Sequence, residues 1–307
     1  MTDQAGPVVD DEVRHRLSRR YGPEVRTWLD ELPVRLQELA QRWQLDLGPF
    51  VRRGTVSVVL TCRDQGGTAV ILKISPNHQR IVSETRALVA WQTSHVPQVI
   101  SSDGTQGALL MEAIRPGTAL DESDQVPESS ALADLVSALH QTAPPSDSVP
   151  PFEQRIASLY RSGEANYTRR PDLQDVIPRS LYARGHRAAK ALAAEAARRV
   201  VLHGDLTPAN VLDGGVGRGL VAVDPAPCLG DPAFDTVDLL MWRADDWSTL
   251  SARARDLGDR LEFPQERALR WCAAFAAMAA LEHAEASPPG EPPSAQLGML
   301  VELASAY

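Results

Sequence analysis

The chain is poor in cysteine, and what it has is scattered. Cys62, Cys228 and Cys272 stand far apart, with no Cys-x-x-Cys pair. That spacing excludes a redox dithiol and a thiolate metal site, and leaves three reduced thiols of a reducing compartment. No apolar run reaches the roughly 18 residues that a membrane helix needs. The opening Met1-Thr-Asp-Gln-Ala-Gly-Pro lacks the basic and apolar stretches of a signal peptide, so a cytoplasmic protein is expected. Cationic excess is missing too. Lys and Arg number 31 against 40 Asp and Glu, a formal charge of −9. This disfavours nucleic acid as a partner and suits a cationic small molecule better. There is no internal repeat and no Gly-Lys-Ser/Thr phosphate loop.

What is present divides into two compositions. After a tail at 1–8, helical patterns cover about 9–20 and 24–44, with Gly22-Pro23 between them. Trp28, Leu29, Leu32, Leu36, Leu39 and Trp43 keep a helical period, the stripe of a helix packed under a sheet. Strand patterns follow at 50–51, 56–62 and 68–74, with Gln65-Gly-Gly67 as a hairpin turn. A helix at 78–94 and strands at 97–102 and 107–112 complete a five-stranded antiparallel sheet. Beyond Arg115-Pro-Gly117 the pattern turns helical: 128–141, 151–167, 179–198, 232–243, 249–261, 264–286 and 293–306. Two regions are expected, 1–113 and 114–307. The stretch Trp271-Cys-Ala-Ala-Phe-Ala-Ala-Met-Ala-Ala-Leu281 reads as a buried helix whose small residues leave space, which favours a less cationic ligand.

The chemistry concentrates in Val200-Val-Leu-His203-Gly-Asp205-Leu-Thr-Pro-Ala-Asn210-Val-Leu. An Asp and an Asn five positions apart occupy a polar turn between apolar strands. Phosphoryl transfer of the kinase type needs that pair: a carboxylate to orient and deprotonate a hydroxyl, and an amide oxygen for Mg²⁺. Leu220-Val-Ala-Val-Asp224 then supplies an apolar strand ending in a second metal carboxylate. Asp205 is the candidate base, and Asn210 and Asp224 are the candidate Mg²⁺ ligands. The alternative for each is a turn-capping or strand-end polar group.

These residues, with Val-Asp-Pro and Gly230-Asp-Pro-Ala-Phe-Asp235, resemble the aminoglycoside phosphotransferase family, nearest the streptomycin 6-phosphotransferase and hydroxyurea phosphotransferase branch. The resemblance implies an α+β, bilobal protein-kinase-like fold: a small antiparallel-sheet N-terminal lobe that binds nucleotide and a larger helical C-terminal lobe. It implies ATP or GTP as co-substrate with Mg²⁺. Lys73 takes the place of the strand lysine on the α- and β-phosphates. A lysine in an apolar strand needs a partner; Glu84 is the natural one, with Arg80 and Arg86 competing for it. Arg53-Gly54-Thr55-Val56-Ser57 takes the place of the phosphate-covering loop, with Thr55 and Ser57 near phosphate, although a plain hairpin turn also fits a segment with one glycine. Glu112 and Ile114 fall on the hinge whose backbone binds the purine. His203 and Asp235 are implied as braces of the catalytic loop. Pro225-Ala226 replaces the Phe-Gly of protein kinases, and no Ala-Pro-Glu ends an activation segment, so protein-kinase switching is not expected.

For a polycationic acceptor, Asp231, Asp245, Asp246, Glu282 and Glu285 are candidate contacts, or else residues of solvated helix faces. Trp242, Trp247 and Trp271 are candidate pocket walls or core. The expected activity is phosphorylation of a hydroxyl on a small-molecule antibiotic, an aminoglycoside such as streptomycin being favoured. A nucleoside or peptide antibiotic, a housekeeping metabolite, and an inactive nucleotide-binding scaffold are the alternatives. The nucleotide, the acceptor hydroxyl and the choice between monomer and dimer stay open.

Overall fold

The computed structural model describes residues 9–52, 56–141, 149–287 and 294–306. Two compact units form: 1–89 with 96–115, and 90–95 with 116–307.

The first unit holds α1 (Asp11–Tyr21), α2 (Val25–Trp43), β1 (Asp46–Phe50), β2 (Val58–Arg63), β3 (Ala69–Ile74), most of α3 (His78–Trp91), β4 (Val99–Asp103) and β5 (Ala108–Glu112). Its strands make one antiparallel sheet in the order β1-β2-β3-β5-β4. Because strand side chains alternate, each face has its own covering. Val58, Leu60 and Cys62 on β2 and Val70, Leu72 and Ile74 on β3 join Val13 and Leu17 of α1 and the leucine stripe of α2 in one core. Leu29, Leu32, Leu36 and Leu39 are at most 1% exposed. Each such burial contributes about 1.5–3 kcal/mol, an upper value because the unfolded chain is not fully extended. Lys73 lies between Leu72 and Ile74 in sequence, so its side chain leaves by the opposite face. There α3 presents Ile81, Glu84, Leu88 and Trp91, all buried at helical spacing.

The second unit contains α4 (Ser129–Gln141), α5 (Phe152–Arg169), α6 (Leu173–Val176), α7 (Arg179–Ala194), β6 (Val200–Leu202), β7 (Val211–Asp213), β8 (Leu220–Ala222), β9 (Cys228–Gly230), α8 (Val237–Met241), α9 (Trp247–Leu261), α10 (Gln265–Ala286) and α11 (Ala295–Ala306). Two antiparallel ladders, β7 with β8 and β6 with β9, frame the polar segment. Only the first of these was expected. The helix expected at 232–243 is instead a 3₁₀ turn, Pro232–Thr236, followed by the five-residue α8. Asp231 caps that turn by accepting from the Ala233 N–H, and Arg243 ends the segment at φ 51°.

Helix α10 is buried from Ala268 to Met278 except for Arg270. Its alanines admit close neighbours rather than open space. A Cβ on Gly185 of α7 would stand 2.4 Å from the Ala274 carbonyl oxygen. Phe152, Phe234, Trp271 and Phe275 fill the remaining volume, with Phe152 and Phe234 centroids 4.5 Å apart and Phe234 and Phe275 5.2 Å apart. The expected vacancy along 271–278 is therefore packed.

Candidate active site

The loop after β6 owes its shape to glycine and to internal capping. Gly204 has φ 74°, and a Cβ there would meet the Ala226 carbonyl oxygen at 2.2 Å. Asp205 follows, its side chain about a third exposed. Its carbonyl accepts from the Thr207 N–H at 2.9 Å and from Asn210 Nδ2 at 2.8 Å. Arg155 of α5 donates from Nε to the Gly204 carbonyl and from Nη2 to Asp205 Oδ1, both at 2.7 Å. One carboxylate oxygen is thus held by Arg155.

The two candidate metal ligands are tied to one another. The Val223 N–H donates to the Asn210 carbonyl at 2.9 Å. Because Asn210 Nδ2 is spent on Asp205, its Oδ1 is the end available to a cation. Asp224 sits at φ 64°, a left-handed conformation that a non-glycine residue adopts at a cost of about 1–2 kcal/mol. His203 clamps both sides of it: Nε2–H donates to the Val223 carbonyl at 3.1 Å, and its own carbonyl accepts from the Ala226 N–H at 2.8 Å. An amide oxygen and a carboxylate are the hard donors that Mg²⁺ takes from protein when phosphates and waters complete its shell. The residues therefore fit that ion. Among the described residues no group of three or more His, Cys, Asp or Glu is placed to hold a metal.

Asp235 secures the loop from beneath. Fully buried, it accepts from the His203 N–H at 2.8 Å and the Gly204 N–H at 2.9 Å, while His140 Nε2–H of α4 donates to it at 2.9 Å. Desolvation pushes its pKa up, but the His140 hydrogen bond and charge, the His203 charge and the Gly204 N–H outweigh it, and the carboxyl lies below its ordinary value. Trp91, counted with the second unit, stacks on His203 at 6.1 Å.

In the first unit, Lys73 Nζ donates to both Glu84 carboxylate oxygens at 2.7 Å, with side chains 1% and 0% exposed. Both Glu84 oxygens are engaged with Lys73, while Arg86 is exposed. Ser57 is 2% exposed, and its hydroxyl has no partner among the described residues. Thr55 lies outside the described residues. Ile114 is half-buried. The Glu112 N–H donates to the Gln98 carbonyl at 2.9 Å.

The second unit contains an open pocket of about 250 Å³, lined by Thr207 and Pro208 of the Asp205 loop, Asp238, Met241 and Trp242, and residues of α10 and α11. Of the expected acceptor contacts only Glu282 lines it, together with Ala279 from the alanine-rich helix. Asp231 is instead buried, accepting from Arg267 Nε at 2.6 Å and Trp271 Nε1 at 2.8 Å. Asp246 caps α9, Asp245 is exposed, and Glu285 pairs with Arg169 at 2.7 Å. Trp242 is pocket wall, Trp271 is core and Trp247 is exposed.

Asp238 and Glu282 make no side-chain hydrogen bond or ion pair among the described residues. Each carboxyl is pushed up to about 7, by desolvation first and then by neighbouring carboxylates, Asp205 acting on both. Arg155 offsets part of the effect on Asp238. By surface area Asp238 is half-buried and Glu282 exposed. Both open to water through the pocket, which moderates the shift but keeps its direction.

The model of the Aminoglycoside/hydroxyurea antibiotic resistance kinase family matches residues 42–286. The chain belongs to this family. It is similar to streptomycin 6-kinase of Streptomyces griseus, 28% identical over 277 residues, 86% of each chain. It is also similar to hydroxyurea phosphotransferase of Kitasatospora aureofaciens, 30% identical over 226 residues, 72% of this chain and 65% of that one. Choline kinase LicA from Streptococcus pneumoniae shares its fold, with TM-score 0.61 at 14% identity, covering 89% of this chain and 98% of that one. ADP-bound aminoglycoside phosphotransferase APH(2'')-Ib shares it with TM-score 0.52 at 14% identity, covering 88% and 95%. This family member therefore has the bilobal kinase-like fold and is a small-molecule kinase of the antibiotic phosphotransferase kind. No helix of the described residues is long and apolar enough to cross a membrane.

Three residues of the site escaped sequence reasoning in this antibiotic kinase. Arg155 and His140 lie 50 and 95 residues before their partners Asp205 and Asp235, and only the fold joins them. Asp238 had a faint signal, three residues after Asp235 in an otherwise apolar segment.

Proposed function

We propose that the chain moves the γ-phosphoryl group of ATP or GTP to a hydroxyl of a cationic antibiotic, an aminoglycoside such as streptomycin being favoured. The observation that carries this reading is the pocket beside the Asp205 loop, where Asp238 and Glu282 make no ion pair among the described residues. A cationic acceptor supplies the missing charge. Streptomycin kinases among the relatives support the same choice.

Arg155 fixes the Asp205 carboxylate, so Oδ2 orients the acceptor hydroxyl. The acceptor oxygen bonds to the γ-phosphorus while the bond to the β–γ bridging oxygen breaks. The hydroxyl proton passes to Asp205, and a phosphate monoester and nucleoside diphosphate leave. Asp205 accepts that proton late, so positioning carries most of the rate. Asn210 and Asp224 would hold Mg²⁺, which when bound neutralises charge on the phosphates. Lys73, held straight by Glu84, is assigned to the α- and β-phosphates, and Ser57 to the phosphate-covering segment. Ile114 remains a hinge contact through its backbone.

The test is nucleotide consumption with MgATP and MgGTP over streptomycin, other aminoglycosides, nucleoside and peptide antibiotics, choline and hydroxyurea, with mass detection of the adduct. Phosphorylated streptomycin is the expected product. Consumption with choline alone would favour a metabolite kinase. No consumption with any acceptor would favour a scaffold.

A further inference from the structure

The family match begins at residue 42, so α1 and nearly all of α2 lie outside it. Helix α1 nevertheless reaches the segment that joins β1 to β2. Arg16 Nη1 donates to the Arg52 carbonyl at 2.9 Å, and the Tyr21 hydroxyl donates to the Val56 carbonyl at 2.7 Å. Arg52 and Val56 are the described residues on either side of 53–55. The Ser75 hydroxyl also donates to the Val56 carbonyl at 2.9 Å and lies 3.4 Å from the Tyr21 hydroxyl. Ser75 follows Lys73 by two residues, at the end of β3.

Helix α1 is itself well anchored. Asp10 caps it by accepting from the Val13 N–H at 2.8 Å, Arg14 pairs with Asp30 of α2 at 2.8 Å, and Val9, Val13 and Leu17 are in the core. Arg16 and Tyr21 are five residues apart, a rise of roughly 7.5 Å along a rigid helix. Two donors at fixed separation on one rod hold both flanks of the β1–β2 connection. They also couple those flanks to the strand end that carries Lys73. Next to Val56, the buried Ser57 hydroxyl has no partner among the described residues. Arg16 Nε and Nη2 are likewise buried without acceptors there.

We propose that α1 is a brace for triphosphate binding, with Arg16 and Tyr21 as positioning residues. The proposal rests on the reading of this unit as the nucleotide-binding one. It adds a device that lies outside the residues the family model matches.

The experiment uses the full chain with MgATP as probe, comparing wild type, Arg16→Ala, Tyr21→Phe, the double variant and Arg16→Lys. Nucleotide KM and kcat, acceptor KM, calorimetric MgATP affinity, melting temperature and amide exchange at 50–58 are measured. The double variant, which loses both hydrogen bonds, is expected to bind MgATP about tenfold more weakly. Acceptor KM should stay within about twofold, Arg16→Lys should recover part of the loss through its remaining donor, and exchange should rise at 56–58. Unchanged MgATP affinity with unchanged exchange overturns the brace. Nucleotide and acceptor KM rising together with a fall in melting temperature also overturns it, as mere destabilisation. A wild-type chain that binds neither MgATP nor MgGTP defeats the nucleotide reading, and the brace proposal with it; wild-type binding alongside unaltered variants defeats the brace alone.

Discussion

Carboxylates in the two units are treated in opposite ways. Glu84 in the first unit has both oxygens on the Lys73 ammonium. In the second, half-buried Asp238 and exposed Glu282 line a pocket and make no side-chain hydrogen bond or ion pair among the described residues, and both carboxyls are pushed up to about 7. A charge removed from water must be neutralised or paired. Where the chain supplies the partner, the group is finished and serves to hold geometry. Where it does not, the mismatch fits the cationic acceptor proposed above. Asp235 belongs with the finished kind although it lies in the second unit, since two backbone N–H groups and His140 satisfy it.

The comparison is broken first at Asp205, the proposed base, whose neighbours His203 and Gly204 donate to Asp235. Asp205→Asn should lower kcat by about 10²–10⁴ while leaving nucleotide affinity within a few-fold. Near-normal turnover would remove it as the base. The next largest effect is on stability. Glu84→Ala strands a buried ammonium and should cost about 3–5 kcal/mol in denaturant unfolding, with weaker nucleotide binding. If it unfolds at the wild-type denaturant concentration, the Lys73 pair is not the finished structure described here.

Asp238→Asn should behave in the reverse sense. It removes a charge that makes no ion pair among the described residues, so stability at neutral pH should hold or rise slightly, while KM for a cationic acceptor rises about tenfold or more. A large loss of stability would place Asp238 with Asp235 instead. The smallest effect is the pH dependence. Both pocket carboxyls have folded-state pKa values raised above their unfolded ones, near 4. Their contribution to stability is therefore fully present below about pH 4 and is lost as pH rises towards 7. A cation reverses the preference, because it binds the ionised form. Acceptor KM should thus climb as pH falls through about 7, and the Asp238→Asn, Glu282→Gln variant should flatten that profile. A profile unaltered by the double change would assign the titration elsewhere.

Much of this was legible in the sequence because it is local. The apolar stripe Leu29, Leu32, Leu36 and Leu39, the alternation that turns Lys73 away from Leu72 and Ile74, and the Asp205 to Asp224 segment all read directly from spacing. The pairing of Lys73 with Glu84 followed from one physical demand, since an ammonium in an apolar strand must be met by the helix that covers it. Long-range closure was less legible. The ladder of β6 with β9 joins residues on either side of the whole catalytic segment, and Arg155 and His140 reach the loop from separate helices. The acceptor carboxylates were chosen by charge alone, which cannot tell a cap such as Asp246 or a core anchor such as Asp231 from a pocket group. The alanine run read as vacancy because aromatic neighbours from distant segments fill it.

The most direct test compares two acceptors of opposite character, streptomycin and hydroxyurea, on the wild-type chain and on the Asp238→Asn, Glu282→Gln variant. Phosphorylation of streptomycin should be efficient in the wild type and should lose its low KM in the variant, with kcat less affected, while any turnover of uncharged hydroxyurea stays the same. Equal losses for both acceptors, or a variant that keeps the wild-type KM for streptomycin, would contradict a pocket whose unpaired carboxylates await a cationic substrate.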